Sequence, residues 1–432
     1  MKIFITAQNS EIYREEISPD FAQCPPNVKT DAGNPRQIVS GFGGAFTESA
    51  AYTLSRMSKE NRKRVIDLYF DKENGIGYTL GRTHIASCDF SIEPYDYIEA
   101  GDAELKTFDM GREDKWVIPF IKDAGEAAGR PISLLASPWS PSAFMKDNNN
   151  RLYGGRLLPE YYETWAAYFV KYLQIMRSKG ITIDYVSIQN DPDAKQTWDS
   201  CLYSGEQERD FVKVLGKALE TAGIDIKILV HDHNRDILFS RTKIIYDDEE
   251  AAKYVYGAGV HWYVSEDFSQ CGLLHDYRPD KGMIFTEGCQ EGGVHLGDWK
   301  VAERYARNIM GDMNNWVEGY IEWNLALDET GGPNHVGNLC DAPIICDTTT
   351  DTVNINPSFW YISHFSKFIK PGAVILPSSA DDIRLITLAA KNPCGENVLV
   401  ILNQDADGST VTVQDSTFRL PGRSIATVVY FT

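Results

Sequence analysis

Eight short apolar runs, most of them followed by a longer helix-like stretch, constrain the fold of this 432-residue chain more than any other feature. Continuous apolar strands that alternate with helices are typical of a parallel sheet buried on both faces. Eight such units predict an α/β fold in which the strands close into a (β/α)8 TIM barrel. The runs are Ile38–Phe46, Tyr78–Ser87, Pro131–Trp139, Asp184–Asn190, Lys227–Asp232, Gly257–Tyr263, Gly282–Glu287 and Gly319–Asn324.

The texture of the sequence changes after about residue 365, where short β-type runs with turn signals between them predict an antiparallel β domain. The N-terminal run Lys2–Thr6 has no partner in the barrel, so we expect it to pair with that domain. We therefore expect residues 1–25 to join the β domain, 26–365 to form the barrel and 366–432 to form the C-terminal β domain. The β-type runs are Ile383–Leu388, Asn397–Leu402, Thr410–Val413 and Ile425–Phe431.

Two acidic residues stand at the ends of two of the eight runs. Asp191 follows the fourth run and Glu287 closes the seventh. Strand ends of such a barrel meet on one rim, which is where these barrels carry catalytic groups. A carboxyl pair is the minimum equipment for cleaving a glycosidic bond, because one protonates the leaving oxygen and the other attacks the sugar or activates water. Either acid alone could instead cap a helix or pair with a surface base.

Other strand ends carry groups that suit such a site. Arg82 could keep a carboxylate ionised through charge-assisted hydrogen bonds, and Asp89 could accept hydrogen bonds from sugar hydroxyls. The flat rings of Trp139, Tyr263 and Trp323 suit the C–H faces of a pyranose. Any one of these aromatic residues, taken singly, is more often explained by core packing.

The segment His231-Asp232-His233 at the end of the fifth run raises an alternative, a metal-dependent hydrolase. Strand alternation would place both histidines on one face of the sheet. No further cluster of His and Asp residues with ligand spacing completes a metal site. We therefore expect neither a metal nor an organic cofactor.

Charge and composition narrow the class of partner. The formal net charge of −19 argues against a nucleic acid or an anionic membrane, because both would be repelled. The first residues lack a secretory apolar stretch, no run is long enough to span a membrane, and the eight cysteines are scattered. We expect a cytoplasmic protein without a stable membrane anchor, or a secreted one if a signal was removed. Composition does not indicate an oligomeric state.

At the level of motifs, the chain resembles family 30 of the glycoside hydrolases, with order and spacing in agreement from about residue 40 to residue 370. The segments that carry the resemblance are specific and spread along most of the chain. They are Gly41-Phe42-Gly43-Gly44-Ala45-Phe46-Thr47, Ala86-Ser87-Cys88-Asp89-Phe90-Ser91-Ile92, Ser133-Leu134-Leu135-Ala136-Ser137-Pro138-Trp139, Val260-His261-Trp262-Tyr263, Glu322-Trp323-Asn324-Leu325-Ala326-Leu327 and His364-Phe365-Ser366-Lys367-Phe368-Ile369.

This resemblance implies a barrel joined to a β-sandwich that is built from the N-terminal strand and the C-terminal segment. It also implies retention of anomeric configuration through a covalent glycosyl-enzyme. Carried over by position, Glu287 is the nucleophile, Arg82 supports it, Tyr263 lies beside it, and Asn190 binds the sugar 2-hydroxyl. The residues that the resemblance places around the sugar are Asp89, Trp139, Trp323 and Asn338.

Residue 191 departs from the family pattern, which is Asn-Glu-Pro where this chain has Asn190-Asp191-Pro192. Asp keeps the carboxyl but loses one methylene, which retracts its oxygens by roughly 1–1.5 Å. Asp191 is therefore a weak acid/base, a natural variant that a backbone shift compensates, or an engineered change. We expect nearby negative charge to keep Asp191 protonated, and we expect Asp193 to face away from the site or to lie past the rim.

The favoured hypothesis is a retaining β-glycoside hydrolase of the β-D-glucosidase or β-glucanase type, with a β-linked glycoside or oligosaccharide as its substrate. Glu287 would be its nucleophile and Asp191 its general acid/base. A β-xylosidase or β-fucosidase of the same family is an alternative. A second alternative, from a different class, is a carbohydrate-binding protein with impaired catalysis.

Overall fold

The computed structural model describes residues 1–8 and 15–431. Residues 9–14, which belong to the expected N-terminal segment, and Thr432 lie outside the described residues. Four short strands precede the barrel: β1 (Lys2–Ala7), β2 (Glu15–Ile17), β3 (Asp20–Phe21) and β4 (Val28–Thr30).

Eight parallel strands close into a barrel, and each of them falls within or overlaps one of the eight apolar runs, which confirms the predicted fold. Around the barrel each strand pairs with the next one in sequence, and β12 closes the ring by pairing with β5. The strands are β5 (Gly41–Ala45), β6 (Leu80–Ile85), β7 (Ser133–Pro138), β8 (Tyr185–Ser187), β9 (Lys227–Asn234), β10 (Val255–His261), β11 (Gly282–Glu287) and β12 (Gly319–Asn324).

Helices connect the barrel strands and pack outside them around one large apolar core. Ser204 caps one of them as its sequence predicts, because its hydroxyl accepts a hydrogen bond from the Gln207 backbone N–H at 3.2 Å. The described helices are α1 (Glu48–Ser55), α2 (Lys59–Phe70), α3 (Gly111–Lys115), α4 (Val117–Ala128), α5 (Tyr162–Ser178), α6 (Gly205–Thr221), α7 (Leu238–Tyr246), α8 (Glu249–Ala252), α9 (Ser269–Tyr277), α10 (Trp299–Met313) and α11 (Pro357–Ser366).

The strands after the barrel are mostly antiparallel and include the four expected β-type runs. Short strands that the sequence did not signal, such as β16, β17 and β21, add to them. The strands are β13 (Leu327–Asp328), β14 (Ile344–Asp347), β15 (Thr352–Ile355), β16 (Val374–Leu376), β17 (Ser378–Ala380), β18 (Leu385–Lys391), β19 (Asn397–Asn403), β20 (Ser409–Val413), β21 (Ser416–Leu420) and β22 (Ser424–Tyr430).

The N-terminal strand β1 pairs with β22 along its whole length, as expected for a strand with no barrel partner. A six-stranded sheet in the order β16-β18-β19-β22-β1-β2 results, and the smaller β20-β21-β3 sheet completes the β-sandwich. Ile3, Leu399 and Val428 from the large sheet share one buried cluster with Val411 and Phe418 from the small one. Burial of this shared apolar surface holds the two sheets together.

Helix α11 joins the sandwich to the barrel. Its buried His364 bonds through one ring nitrogen to the Thr6 hydroxyl and through the other to the Thr427 hydroxyl, both at 2.8 Å. These bonds satisfy both polar atoms of a buried imidazole, so they fix the helix against the N-terminal and C-terminal strands together. Within the described residues, no helix is both long and apolar enough to cross a membrane.

Candidate active site

The carboxyl ends of the barrel strands surround a cavity of about 420 Å³, within the usual size range of ligand pockets. All but one of the residues that the sequence assigns to a site line this cavity. The exception, Arg82, is fully buried and reaches the site through its bond to Glu287. The lining residues from that set are Asp89, Trp139, Asn190, Asp191, Tyr263, Glu287, Trp323 and Asn338.

Glu287 ends β11, and its carboxylate is held by two donors. Arg82 Nη1 donates to Oε2 at 2.6 Å, and the Tyr263 hydroxyl donates to Oε1 at 2.9 Å. Burial raises the pKa of Glu287, while the positive charges of His261 and Arg82 oppose that rise. A buried carboxylate with a fixed orientation and a cation beside it is suited to attack an electrophilic carbon.

Arg82 forms hydrogen bonds to several groups of the site. Its Nη2 group donates to Asn190 Oδ1 and to Asp232 Oδ2, both at 2.8 Å, and its Nε donates to Ser137 Oγ at 3.2 Å. The planar guanidinium thus orients several groups at once, which a lysine ammonium could not reproduce. The side-chain oxygen of Asn190 accepts the hydrogen bond from Arg82, so its Nδ2 group can donate to a ligand in the cavity.

Asp232 is a member of this network that we did not anticipate from the sequence. It is fully buried and accepts hydrogen bonds from Thr286 Oγ1 at 2.6 Å and from His261 Nε2 at 3.0 Å. Burial raises the pKa of Asp232, but Arg82 and His261 outweigh burial and hold that pKa below its ordinary value. In the sequence, Asp232 is marked only by its position at a strand end, between two histidines that suggested a metal site.

Asp191 lies just past the end of β8, with its backbone in the left-handed region at a φ of 46°. Aspartate tolerates that conformation better than most residues. Its Oδ1 atom accepts hydrogen bonds from His233 Nδ1 at 2.7 Å and from His261 Nδ1 at 3.1 Å. One carboxylate oxygen of Asp191 lies within 4.8 Å of one of Glu287. The two acids of the predicted pair therefore meet on one rim.

The protonation state of Asp191 differs from our expectation. Burial raises the pKa of Asp191, but the charge of His261 and the hydrogen bonds from His233 and His261 outweigh burial, so the pKa lies below its ordinary value. The expectation counted the negative charge of Glu287 and missed the two imidazoles, which come from strands distant in sequence. Asp191 is an ionised acceptor in this structure.

His261 was not assigned a role from the sequence either, although it stands in a segment that carries the family resemblance. Both of its ring nitrogens donate to carboxylates, Nδ1 to Asp191 and Nε2 to Asp232. Burial lowers the pKa of His261, but Asp191 and Glu287 reverse the effect and raise it to about 9. His261 is therefore a buried imidazolium at neutral pH.

The structure does not support the metal site suggested by His231 and His233. The backbone is left-handed at His231 and at Asp232, and the two rings lie with their centroids 5.9 Å apart, but each ring bonds to a different partner. The ring of His231 is fully buried, and its Nε2 donates to the Asn234 carbonyl at 3.0 Å. His233 points instead to the cavity wall and to Asp191.

A different trio, Asp191, His261 and Glu287, places one possible ligand atom from each residue within 4.8 Å of the others. His261 already donates from both nitrogens, so its ring has no lone pair to offer a cation. The donor set therefore fits a hydrogen-bonded charge network better than a metal centre.

Asp89 and Asn338 form a polar end of the cavity. Asn338 Nδ2 donates to Asp89 Oδ2 at 3.1 Å, while Asp89 Oδ1 is buried without a hydrogen-bond partner among the described residues. Burial and the charge of Glu287 raise the pKa of Asp89 to about 7. A buried acceptor without a partner is costly, so this atom suits a ligand hydroxyl that would satisfy it.

The aromatic residues of the site serve partly as packing. Trp139 and Trp323 stack with ring centroids 5.2 Å apart, and Arg82 lies against both rings. Trp198, from the loop between β8 and α6, also lines the cavity. Asp193 lines the cavity as well, with an exposed side chain that lies near Arg241.

Known proteins resemble this chain along nearly its full length. The lysosomal acid glucosylceramidase of Mus musculus is 36% identical over 423 residues, which is 91% of this chain and 81% of that protein. The endo-1,6-beta-D-glucanase of Neurospora crassa is 29% identical over 399 residues, 88% of this chain and 81% of that protein. The crystal structure of SrfJ from Salmonella typhimurium superposes with a TM-score of 0.94 and 34% identity, and covers 100% of this chain and 99% of that one.

Two family models account for the two parts of the fold. Residues 39–369 match the glycosyl hydrolase family 30 TIM-barrel domain, and residues 372–428 match the glycosyl hydrolase family 30 beta sandwich domain. The barrel and the sandwich agree with this match. The chain thus belongs to glycosyl hydrolase family 30, and it is a glycosidase.

Proposed function

We propose that this protein hydrolyses β-D-glucosides with retention of configuration, with Glu287 as nucleophile and the acid/base group at the position of Asp191. The observation that carries the proposal is the short separation of the two carboxyls, within 4.8 Å at their nearest atoms. Retaining glycosidases hold their carboxyls about 5–5.5 Å apart, whereas inverting ones leave about 6.5–9.5 Å for a water molecule.

In the first half of this reaction, a carboxylate oxygen of Glu287 attacks C1 of the sugar while the bond from C1 to the leaving oxygen breaks. Arg82 and the Tyr263 hydroxyl hold the carboxylate in place. The Nδ2 group of Asn190 is free to donate to the sugar, which supports its role at the 2-hydroxyl. In the second half, water attacks C1 and releases Glu287, so two inversions give net retention.

Proton NMR of the first product tests this proposal. A β-glucoside is expected to yield β-glucose first, with the α anomer appearing later through mutarotation. The α anomer as first product would contradict both the covalent intermediate and the role of Glu287. A carbohydrate-binding protein with impaired catalysis would release no sugar at all.

Glucose is the proposed sugar because relatives named as a glucosylceramidase and as endo-1,6-glucanases share this fold over most of the chain. Asp89 and Asn338 support this choice, since they offer an acceptor and a donor for an equatorial hydroxyl. A panel of nitrophenyl β-glucoside, β-xyloside and β-fucoside, with pustulan and glucosylceramide as natural substrates, separates the alternatives. A cytoplasmic location stays a prediction, since one relative is named as lysosomal.

Replacing Asp89 with asparagine is expected to lower activity and raise stability together. Above about pH 7, where Asp89 is ionised, the lost charge-assisted hydrogen bond to the sugar should reduce kcat/KM on the order of 10- to 100-fold. The pKa of Asp89 is raised to about 7, so the native state favours its protonated form, and ionisation destabilises the fold as the pH rises from about 4 to about 7. Asp89→Asn should therefore be more stable than the unmodified protein at pH 8, by up to a few kcal/mol, with little difference at pH 4.

Urea denaturation at both pH values measures this effect, and Asp199→Asn is the matched control. Asp199 is also buried, but Arg151 and His335 outweigh burial and lower its pKa. Its ionised form stabilises the native state above its unfolded pKa, and that stability is lost as the pH falls. Asp199→Asn should lose stability, most at pH 8. A destabilised Asp89→Asn protein, or a gain that does not depend on pH, would count against the raised pKa of Asp89.

A further inference from the structure

His233 stands at the cavity in contact with the shortened acid. Its Nδ1 group donates to Asp191 Oδ1 at 2.7 Å, and the residue lines the cavity that holds Glu287. Because Nδ1 faces Asp191, Nε2 lies on the opposite edge of the ring. No described residue forms a hydrogen bond with Nε2, and the atom is accessible to solvent. It is therefore available to a ligand.

Asp191 is poorly suited to deliver a proton by itself. Its side chain is one methylene shorter than the family's glutamate, and its Oδ1 is drawn to two imidazole N–H groups. An acceptor of two hydrogen bonds from cationic or polarised donors favours the ionised form. The carboxylate is thus arranged to hold a histidine, as the aspartate does in an Asp–His pair that transfers protons.

The charges around the site support the same assignment. Three carboxylates, Asp191, Asp232 and Glu287, are linked by hydrogen bonds to two cations, Arg82 and the His261 imidazolium. The net negative charge that this leaves favours a further donor beside Asp191, which the Nδ1 group of His233 provides. An unbalanced charge would be costly in such a site.

We propose that His233 is the proton donor and acceptor of the glycosidase reaction. The Asp191 carboxylate holds the imidazole in position and stabilises its positive charge. The proposal rests on the proposed function. It also explains how a family member with aspartate in place of the acid/base glutamate remains an enzyme.

The proton balance follows directly. As Glu287 bonds to C1 and the glycosidic C–O bond breaks, the Nε2 proton passes to the leaving oxygen, so a neutral alcohol departs and His233 becomes neutral. A water molecule then attacks C1 and gives its proton to Nε2, while the bond between C1 and Glu287 breaks. The sugar leaves with its new hydroxyl, and both side chains return to their starting states.

Several charged or titratable groups face His233. Asp191 from the loop after β8 and His261 from β10 share its hydrogen-bond cluster, and His231 on its own strand has its ring centroid 5.9 Å away. Glu287 and Asp193 line the same cavity, and Arg241 lies near Asp193.

The test uses His233→Asn and His233→Gln with two aryl β-glucosides. Asparagine can keep the hydrogen bond to Asp191 but has no atom at the Nε2 position, whereas glutamine reaches that position with an amide that cannot release a proton. Phenyl β-glucoside needs acid assistance, so its kcat/KM should fall on the order of 100- to 10,000-fold. Dinitrophenyl β-glucoside needs little assistance and should lose less than about tenfold.

His275→Gln is the matched control, because His275 stacks on Trp316 beside the amino ends of the barrel strands, at the opposite end from the cavity. It should keep the unmodified ratio of the two substrates. Equal losses on both substrates, or phenyl glucoside activity within about twofold of the unmodified protein, would overturn the role of His233 while leaving the proposed function intact. Absence of turnover by the unmodified protein on every aryl glycoside would overturn both.

Discussion

Replacement of Glu287 by alanine is expected to reduce kcat/KM for dinitrophenyl β-glucoside on the order of 10,000-fold or more. The reason is that no other carboxylate lies at the cavity with a cation and a hydroxyl on its two oxygens, within the part of the chain that the structure describes. A good leaving group does not compensate, because the missing group forms the bond to C1. The measurement is initial release of dinitrophenol, with circular dichroism to verify folding.

Azide is expected to restore turnover to the Glu287→Ala protein. It is small enough to enter the space left by the Glu287 carboxylate and attacks C1 from the same face, so the product should be an α-glucosyl azide. Glu318→Gln is the control. Glu318 precedes β12 at the other end of the barrel, where the Tyr256 hydroxyl donates to it, so activity should stay within about threefold. Full activity of the Glu287→Ala protein would remove the nucleophile from the proposal.

Replacement of Arg82 by methionine should lower both stability and activity strongly. Methionine fills much of the same volume but leaves Asp232 and Glu287 buried without their cation. Breaking a buried ion pair by removing one partner costs about 3–5 kcal/mol. Asn190 and Glu287 also lose a donor that fixes their position, and a displacement near 1 Å lowers activity on the order of 100-fold. Urea denaturation and kcat/KM for folded protein measure the two effects.

The pH dependence of Arg82→Met separates electrostatics from packing. Arg82 helps to lower the pKa of Asp232, so the ion pair stabilises the native state above the unfolded pKa of that acid and the stability is lost as the pH falls. The loss of stability in the variant should therefore be larger at pH 8 than at pH 4. A loss that is equal at both values would indicate a packing defect alone.

Arg235→Met is the matched control for Arg82→Met. Arg235 forms an equally buried ion pair with Asp312, but it is not among the residues that line the cavity. We expect a similar loss of stability with activity of the folded enzyme kept within about threefold. If both variants lost activity alike, the role of Arg82 in orienting Glu287 and Asn190 would not be supported.

Much of the fold was predictable from local patterns. Each barrel strand falls within or overlaps a short apolar run, and the spacing of most runs leaves room for a helix between them. The strand β1 was also anticipated, because a run with no place in the barrel needed an antiparallel partner, and β22 supplied it. Short strands such as β16 and β17 carry too few residues to show a period-2 pattern and were not predicted.

The site was predictable only where one residue carries its own signal. Glu287 and Asp191 each stand at a strand end, and both lie on the cavity wall. Asp232, His261 and His233 carry no comparable signal, because their roles come from contacts across the barrel. Alternation along β9 predicted one face for His231 and His233, but the register of β9 against β10 shifts between Val230 and His233, and the two rings bond to different partners. A bulge of this kind has no local sequence signature.

By itself, the sequence determined the barrel, the sandwich and the pair of acids at one rim, because strand length and apolar periodicity are properties of local chain segments. Only the tertiary structure decided which charge each acid carries. Asp191 was expected to be protonated beside Glu287, yet the imidazoles of His233 and His261 converge on it and keep it ionised. The physical reason is that a pKa depends on distances between side chains that are tens of residues apart, and folding alone sets those distances.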